Sequence, residues 1–213
     1  MMANPEAGWV HIVDDEEPVR DALAFLFASR GHRVCTHADG PALLAALDAG
    51  SAAAGVIVLD VRMEPLSGLQ VYDELVARGL HHPVVFLSGH GDIAMAVEAL
   101  KKGAFDFVEK PYTDNALVER VERALALERA LQADDAREAA LAARLASLSE
   151  REREVMLRVA AGKLNKVIAD ELNVAVRTVE VHRARVFAKL GVRSAPEVAT
   201  LLAAAGLAPP ARR

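Results

Sequence analysis

Five short runs rich in β-branched and aromatic residues alternate with helical stretches over the first 125 positions, and this alternation constrains the fold more than any other feature. Residues 9–13, 32–37, 56–59, 83–87 and 105–108 read as strands. Residues 18–30, 41–49, 69–78 and 92–102 read as helices, and a fifth helix begins near Thr113. Val19, Ala22, Leu23, Leu26 and Phe27 share one face of the first helix. Val56-Ile57-Val58-Leu59 has no polar alternation, as a strand buried on both faces requires. Strands and helices in strict alternation predict a doubly wound, five-stranded parallel sheet covered on both faces.

The remainder is helical. Residues 116–147 lack Gly and Pro and read as the fifth helix running on. Leu127, Leu131, Leu141, Leu145 and Leu148 fit a heptad seam that also carries Asp134 and Glu138. A solvated linker helix, one broken near Asp134-Asp135, and a short coiled coil between two chains all remain open. Ser149-Glu150-Arg151-Glu152 is a capping box, in which Ser149 and Glu152 satisfy free N–H groups at a helix start. That helix stops at Gly162. Further helices cover residues 165–172, 176–190 and 195–205, and a tight turn joins the first two of these, as in a helix-turn-helix. The expected organisation is an α/β domain over residues 8–125, a helical linker over 126–146, a small all-α domain over 147–206 and a tail over 207–213.

At 213 residues the chain has room for two small domains. No apolar run approaches the roughly 18 residues that cross a bilayer. The opening Met1-Met2-Ala3-Asn4-Pro5-Glu6 lacks a basic region leading into an apolar stretch, so no signal peptide is expected. The lone Cys35 excludes an internal disulfide and predicts a reducing, cytoplasmic setting. The net charge of −5 hides an asymmetry. Residues 1–148 hold 13 Lys/Arg against 23 Asp/Glu, a balance of −10, and residues 149–213 hold 12 against 7, a balance of +5. The basic end suits a polyanion and the acidic part repels one.

In an open parallel sheet, ligands bind beyond the carboxyl ends of the strands. Asp14 and Asp15 follow the first strand, Asp60 ends the third, Ser88 the fourth and Lys110 the fifth. A lone Asp after a strand is usually a helix cap, but five suitable residues on four strand ends are a constellation. Clustered carboxylates repel one another unless a cation neutralises them, and oxygen ligands of this kind suit Mg²⁺. An Asp can also act as a nucleophile toward phosphorus, with Lys and Ser holding phosphoryl oxygens. A competing motif, Gly89-His90-Gly91-Asp92-Ile93-Ala94, matches the dinucleotide fingerprint G-x-G-x-x-A. It follows the fourth strand, whereas the fingerprint belongs to the first turn of its unit, so it reads as a chance pattern.

Val13-Asp14-Asp15-Glu16, Val58-Leu59-Asp60-Val61 and Asp106-Phe107-Val108-Glu109-Lys110-Pro111 resemble the receiver domain of two-component response regulators, a flavodoxin-like fold. The resemblance implies that Asp60 is the phosphoacceptor. It implies an Mg²⁺ site at Asp14, Asp15 and Asp60, with the Arg62 carbonyl as a further ligand. It implies a switch pair, Ser88 and Phe107, a Lys110 that pairs with the phosphoryl group, and a Lys110-Pro111 bond that is commonly cis. Arg62 and His90 stand where the family flanks the path of attacking water.

Asn165-Lys166-Val167-Ile168-Ala169 and Arg177-Thr178-Val179-Glu180-Val181-His182-Arg183 resemble the helix-turn-helix of the FixJ/NarL (LuxR-type) family. On the third helix of this part, Val179, His182, Val186 and Leu190 share an inward face. Arg177, Val181, Ala184, Arg185 and Ala188 point the other way. Small residues at Val181 and Ala184 let a helix approach base edges, with Arg177 and Arg185 available for phosphates or guanine. Lys166, Thr178 and Arg183 join them as contacts implied by the family, and Glu180 can accept from cytosine N4. Ala175 and Leu164 stand where the family places small polar residues, so neither helix has a side-chain cap.

Together the resemblances imply a DNA-binding response regulator, not an enzyme. A sensor histidine kinase would phosphorylate it, after which it would dimerise and bind double-stranded promoter DNA. RNA polymerase is an implied further partner and a membrane is not. On the fourth helix Ile93, Val97 and Leu100 are expected inside, with Met95, Ala99 and Lys102 as an outer stripe for the dimer contact. A phosphate-sink receiver and a constitutive DNA binder are the alternatives.

Overall fold

A computed structural model describes residues 8–50, 52–89 and 93–207, apart from the side chains of Ile93, Ala94 and Ala96. The first part alternates strictly: β1 (Trp9–Val13), α1 (Glu17–Ser29), β2 (Arg33–His37), α2 (Gly40–Asp48), β3 (Gly55–Asp60), α3 (Gly68–Ala77), β4 (Val84–Ser88), α4 (Ile93–Lys101), β5 (Asp106–Glu109) and α5 (Asp114–Ala146). The strands form one sheet in the order β2-β1-β3-β4-β5, and every pairing is parallel. This is the doubly wound flavodoxin-like order, with its switch point between β1 and β3.

Each face of the sheet has its own core. Val10, Ile12, Val56, Val58, Val85 and Leu87 pack against Leu23 and Phe27 of α1 and Leu117, Val118 and Val121 of α5. On the other face, Val13, Ile57, Leu59 and Phe86 meet Leu43 of α2, Val71 and Leu75 of α3 and Ala99 of α4. β3 is buried along its whole length, which explains its unbroken apolar run. The helices α2 and α3 begin with side-chain caps that close their first turns: Asp39 accepts from Ala42 N at 2.8 Å, and Ser67 and Gln70 form a capping box.

Two expected helix faces are corrected. On α1, Ala22 is exposed while Ala24 is half-buried. On α4, Ala99 is fully buried and Met95 packs against the core, whereas Val97 is 46% and Leu100 43% exposed. The helix is apolar nearly all round, so periodicity could not tell which face turns inward. The small Ala99 side chain lets the helix lie close to the sheet, and this decides it.

The helix α5 spans 33 residues without interruption, so the break near Asp134-Asp135 does not occur. The chain divides into two compact units, Met1–Leu131 and Gln132–Arg213. The second contains α6 (Glu150–Ala160), α7 (Asn165–Leu172), α8 (Val176–Leu190) and α9 (Ala195–Ala204). Its core joins Val155 and Val159 of α6, Ile168 of α7, Val179, Val186 and Leu190 of α8, and Val198 and Leu202 of α9. The Ser149/Glu152 capping box forms as expected. Lys189 donates to Glu152 at 2.6 Å, and this bond leads the effects that hold the Glu152 carboxyl down at about 2.

Candidate functional site

The carboxyl edge of the sheet gathers Asp14, Asp60, Ser88 and Lys110. Asp14, Asp60 and Ser88 are all buried. Lys110 Nζ lies 2.7 Å from Asp60 Oδ1 and 3.4 Å from Asp14 Oδ2, bridging carboxylates that follow two adjacent strands. Burial works against the Lys110 ammonium, but the Asp60 hydrogen bond and charge, with Asp14 behind, outweigh it and raise its pKa. Burial likewise raises the Asp14 carboxyl, against the Glu16 N–H bond and the Lys110 charge. Asp60 Oδ2 accepts from Arg62 N at 2.6 Å, so both carboxylate oxygens of Asp60 are held. The Lys110-Pro111 peptide is cis, and so is Glu64-Pro65.

The backbone is shaped around Asp60. A Cβ on Gly68 would stand 2.1 Å from the Asp60 carbonyl oxygen, so only glycine admits this approach of the β3–α3 loop. Gly68 N also donates to Val61 O at 3.0 Å. Ser88 Oγ is 3.2 Å from Gly89 O, and Phe107 is partly buried against the α2–α3–α4 core. Residues 90–92, the middle of the Gly89–Ala94 motif, lie outside the described residues.

Asp15 is exposed, and among the described residues its carboxylate has no partner. In this conformation no group of three or more His, Cys, Asp or Glu side chains among the described residues is arranged to hold a metal ion. The chemistry of the donors, carboxylates and a main-chain carbonyl, nonetheless fits a hard cation such as Mg²⁺. Arg20, which sequence reasoning passed over, donates from Nη1 to the Asp14 carbonyl at 2.7 Å. The Gly68 contact was equally unread, since its meaning depends on what lies across the loop.

In the second unit, α7 ends on Asn173, whose φ of 51° turns the chain into α8. Neither α7 nor α8 has a side-chain cap, as the residues Leu164 and Ala175 predict. Val179, Val186 and Leu190 of α8 are buried and His182 is half-buried, with Nδ1 shielded from solvent. Lys166, Arg177, Glu180, Val181, Ala184 and Arg185 are exposed, and Thr178 is half-buried. Arg177 Nη1 pairs with Glu180 Oε2 at 3.2 Å. Arg183 is used within the fold: it donates to Asn165 Oδ1 at 2.9 Å and stacks 5.1 Å above the Phe187 ring centre.

An acidic, lysine-bridged edge on a parallel sheet, followed by a helix-turn-helix unit, defines a two-domain signalling regulator. Residues 10–122 match the response regulator receiver domain, and residues 146–202 match the bacterial regulatory proteins of the luxR family. The C4-dicarboxylate transport transcriptional regulatory protein DctR of Rhodobacter capsulatus is 52% identical over 194 residues, covering 90% of this chain and 98% of the relative. The transcriptional regulatory protein FixJ of Rhizobium meliloti is 46% identical over 202 residues, covering 94% and 97%. The structure of response regulator StyR superposes with a TM-score of 0.84 at 34% identity, covering 93% of this chain and all of that one (100%). The chain belongs to the response regulators that join a receiver domain to a LuxR-family helix-turn-helix, alongside the FixJ and DctR transcriptional regulators. It is a regulator of transcription, and phosphorylation-gated DNA binding is the standard mechanism of its family.

Proposed function

We propose that a sensor histidine kinase phosphorylates this regulator on Asp60, and that the modified form dimerises on promoter DNA. The observation that carries this reading is the Lys110 bridge to Asp60 and Asp14 at the end of adjacent strands. An Asp60 carboxylate oxygen attacks phosphorus, forming an acyl phosphate as the bond to the donor nitrogen breaks. Lys110 would exchange its contact with the carboxylate for one with a phosphoryl oxygen. Asp14, Asp15, Asp60 and the Arg62 carbonyl would hold Mg²⁺, which when bound neutralises and orients phosphoryl oxygens. Ser88 and Phe107 would carry the change outward, the hydroxyl following the phosphoryl group and the ring filling the space it leaves.

Receiver, linker and DNA-binding parts are taken as residues 8–125, 126–146 and 147–206. The exposed pair Val97 and Leu100 on α4 supplies apolar surface for the dimer. Lys166, Arg177, Thr178, Glu180, Val181, Ala184 and Arg185 would meet DNA, with Arg183 bracing the two helices. RNA polymerase is the partner a promoter-bound activator would engage, and the setting is cytoplasmic. The protein's own chemistry is confined to gaining and losing one phosphoryl group, so it acts as no enzyme on other substrates.

The test is incubation with acetyl phosphate and Mg²⁺, read by intact mass and by light scattering after size exclusion. The expected result is one added phosphoryl group and a doubled mass in solution. Asp60→Asn, which keeps the shape and loses the nucleophile, should show neither. Full phosphorylation of that variant at another residue would overturn the assignment.

A further inference from the structure

We propose that Arg20 is a positioning residue for the divalent-cation site, holding the Asp14–Asp15 peptide so that both carboxylates serve the Asp60 edge. The inference rests on the reading of that edge as a cation site. Arg20 sits on α1, half-buried, and its Nη1 donates to the Asp14 carbonyl oxygen at 2.7 Å. That oxygen belongs to the peptide plane joining Asp14 to Asp15. A bond to it therefore sets the rotation of the plane, and with it the direction in which Asp15 leaves the chain.

The rest of the turn explains why such a tie is needed. Asp14 Oδ1 accepts from Glu16 N at 2.9 Å, an Asx turn that fixes the Asp14 side chain. Lys110 holds Oδ2 more loosely at 3.4 Å. Asp14 N reaches His37 O only at 3.5 Å, where the β1–β2 ladder is ending. Glu16, at the cap position of α1, makes no side-chain cap bond. Asp15 itself has no partner among the described residues. The Asp15 side of the turn thus depends on the Arg20 bond, the only side-chain tie to that peptide among the described residues.

Arg20 also brings a positive charge to a place meant for a cation. Charge alone would make its removal tighten metal binding, whereas positioning makes removal weaken it. The two accounts therefore predict opposite signs.

The experiment uses the full chain. Mg²⁺ is titrated by calorimetry in the absence of a phosphoryl donor, for the parent, Arg20→Ala, Arg20→Gln and Arg20→Lys. Residues that orient metal ligands from behind typically change affinity 10- to 100-fold, so Arg20→Ala should weaken Mg²⁺ binding roughly tenfold. Arg20→Gln, too short to reach the carbonyl, should weaken it similarly, and Arg20→Lys, which keeps a long donor, should restore it. With acetyl phosphate, the Mg²⁺ concentration for half-maximal rate should rise while the rate at saturating Mg²⁺ recovers. Thermal unfolding without Mg²⁺ separates this from loss of fold. If Arg20→Ala is unstable, the Lys and Gln variants decide. Mg²⁺ affinity unchanged or tightened in a folded Arg20→Gln would overturn the proposal and leave the cation site standing. A parent chain that binds no Mg²⁺ would overturn both.

Discussion

Gly68 shows how much one absent methyl can matter at the residue scale. Its place across from the Asp60 carbonyl leaves no room for a Cβ, and the obstacle is backbone, which cannot swing aside. Gly68→Ala should therefore displace the end of β3 or the start of α3. Overpacking of this kind costs about 1–3 kcal/mol. A lower unfolding midpoint and slowed phosphorylation by acetyl phosphate are expected, and a variant with parental values of both would contradict the contact. The acid, hydroxyl and ammonium at the strand ends were legible in the sequence because they fall together on four strand ends, although each alone has an ordinary reading. Arg20 and Gly68 were not. An Arg on a helix and a Gly after a turn are ordinary until the partner across the gap is known.

Among the elements, the β1–β2 pair carries a partly buried, acid-sensitive contact. His11 is fully buried, and its Nε2 lies 2.8 Å from the Ala53 carbonyl, so that nitrogen bears the proton. Its Nδ1 must then accept from His37 Nε2 at 3.3 Å. Burial lowers the pKa of both rings. It leads the effects that bring His37 to about 4, with the His11 charge adding to it and Asp39 opposing, while His82 further lowers His11. A folded pKa below the ordinary 6.5 means that the unfolded chain binds the proton more readily. Stability from His37 is therefore complete above about pH 6.5 and is lost as pH falls toward 4, levelling off below. The loss should be on the order of 2–3 kcal/mol. Urea unfolding between these limits should be steeper in pH for the parent than for His37→Gln, and equal slopes would refute the pairing. The capping box of α6 offers a second test at this scale. Ser149→Ala removes an acceptor for Glu152 N and should cost about 1 kcal/mol. Circular dichroism melting of the full chain would reveal it as an earlier transition of the helical unit, and an unmoved transition would mean that the cap is idle.

For the whole molecule, the charge asymmetry becomes a prediction about salt. Each phosphate neutralised contributes a slope of about −0.9 to log affinity against log salt. The proposed dimer would engage two α8 helices, so on that reading phosphorylation should steepen the slope as well as tighten binding. Titration of one promoter fragment at two salt concentrations measures both quantities. Equal affinity and slope before and after phosphorylation would rule out gating by dimerisation and favour constitutive binding.

The sequence by itself determined the element order, the parallel sheet, the helix-turn-helix and the four strand ends that meet at the acidic edge. These depend on local patterns: apolar runs, helix caps, turn glycines, and residue types placed beside them. It put the wrong face of α4 inward, because a helix apolar on every side has no period to read, and only packing of Ala99 against the sheet turned Val97 and Leu100 outward. It left the continuity of α5 open too, since Asp134 and Asp135 are tolerable on a solvated helix face and only the observed helix shows no break there. The Lys110 bridge, the Arg20 tie and the His11–His37 bond join residues 96, 6 and 26 positions apart. Such distances are set by how strands and helices pack, and a one-dimensional pattern holds no measure of them.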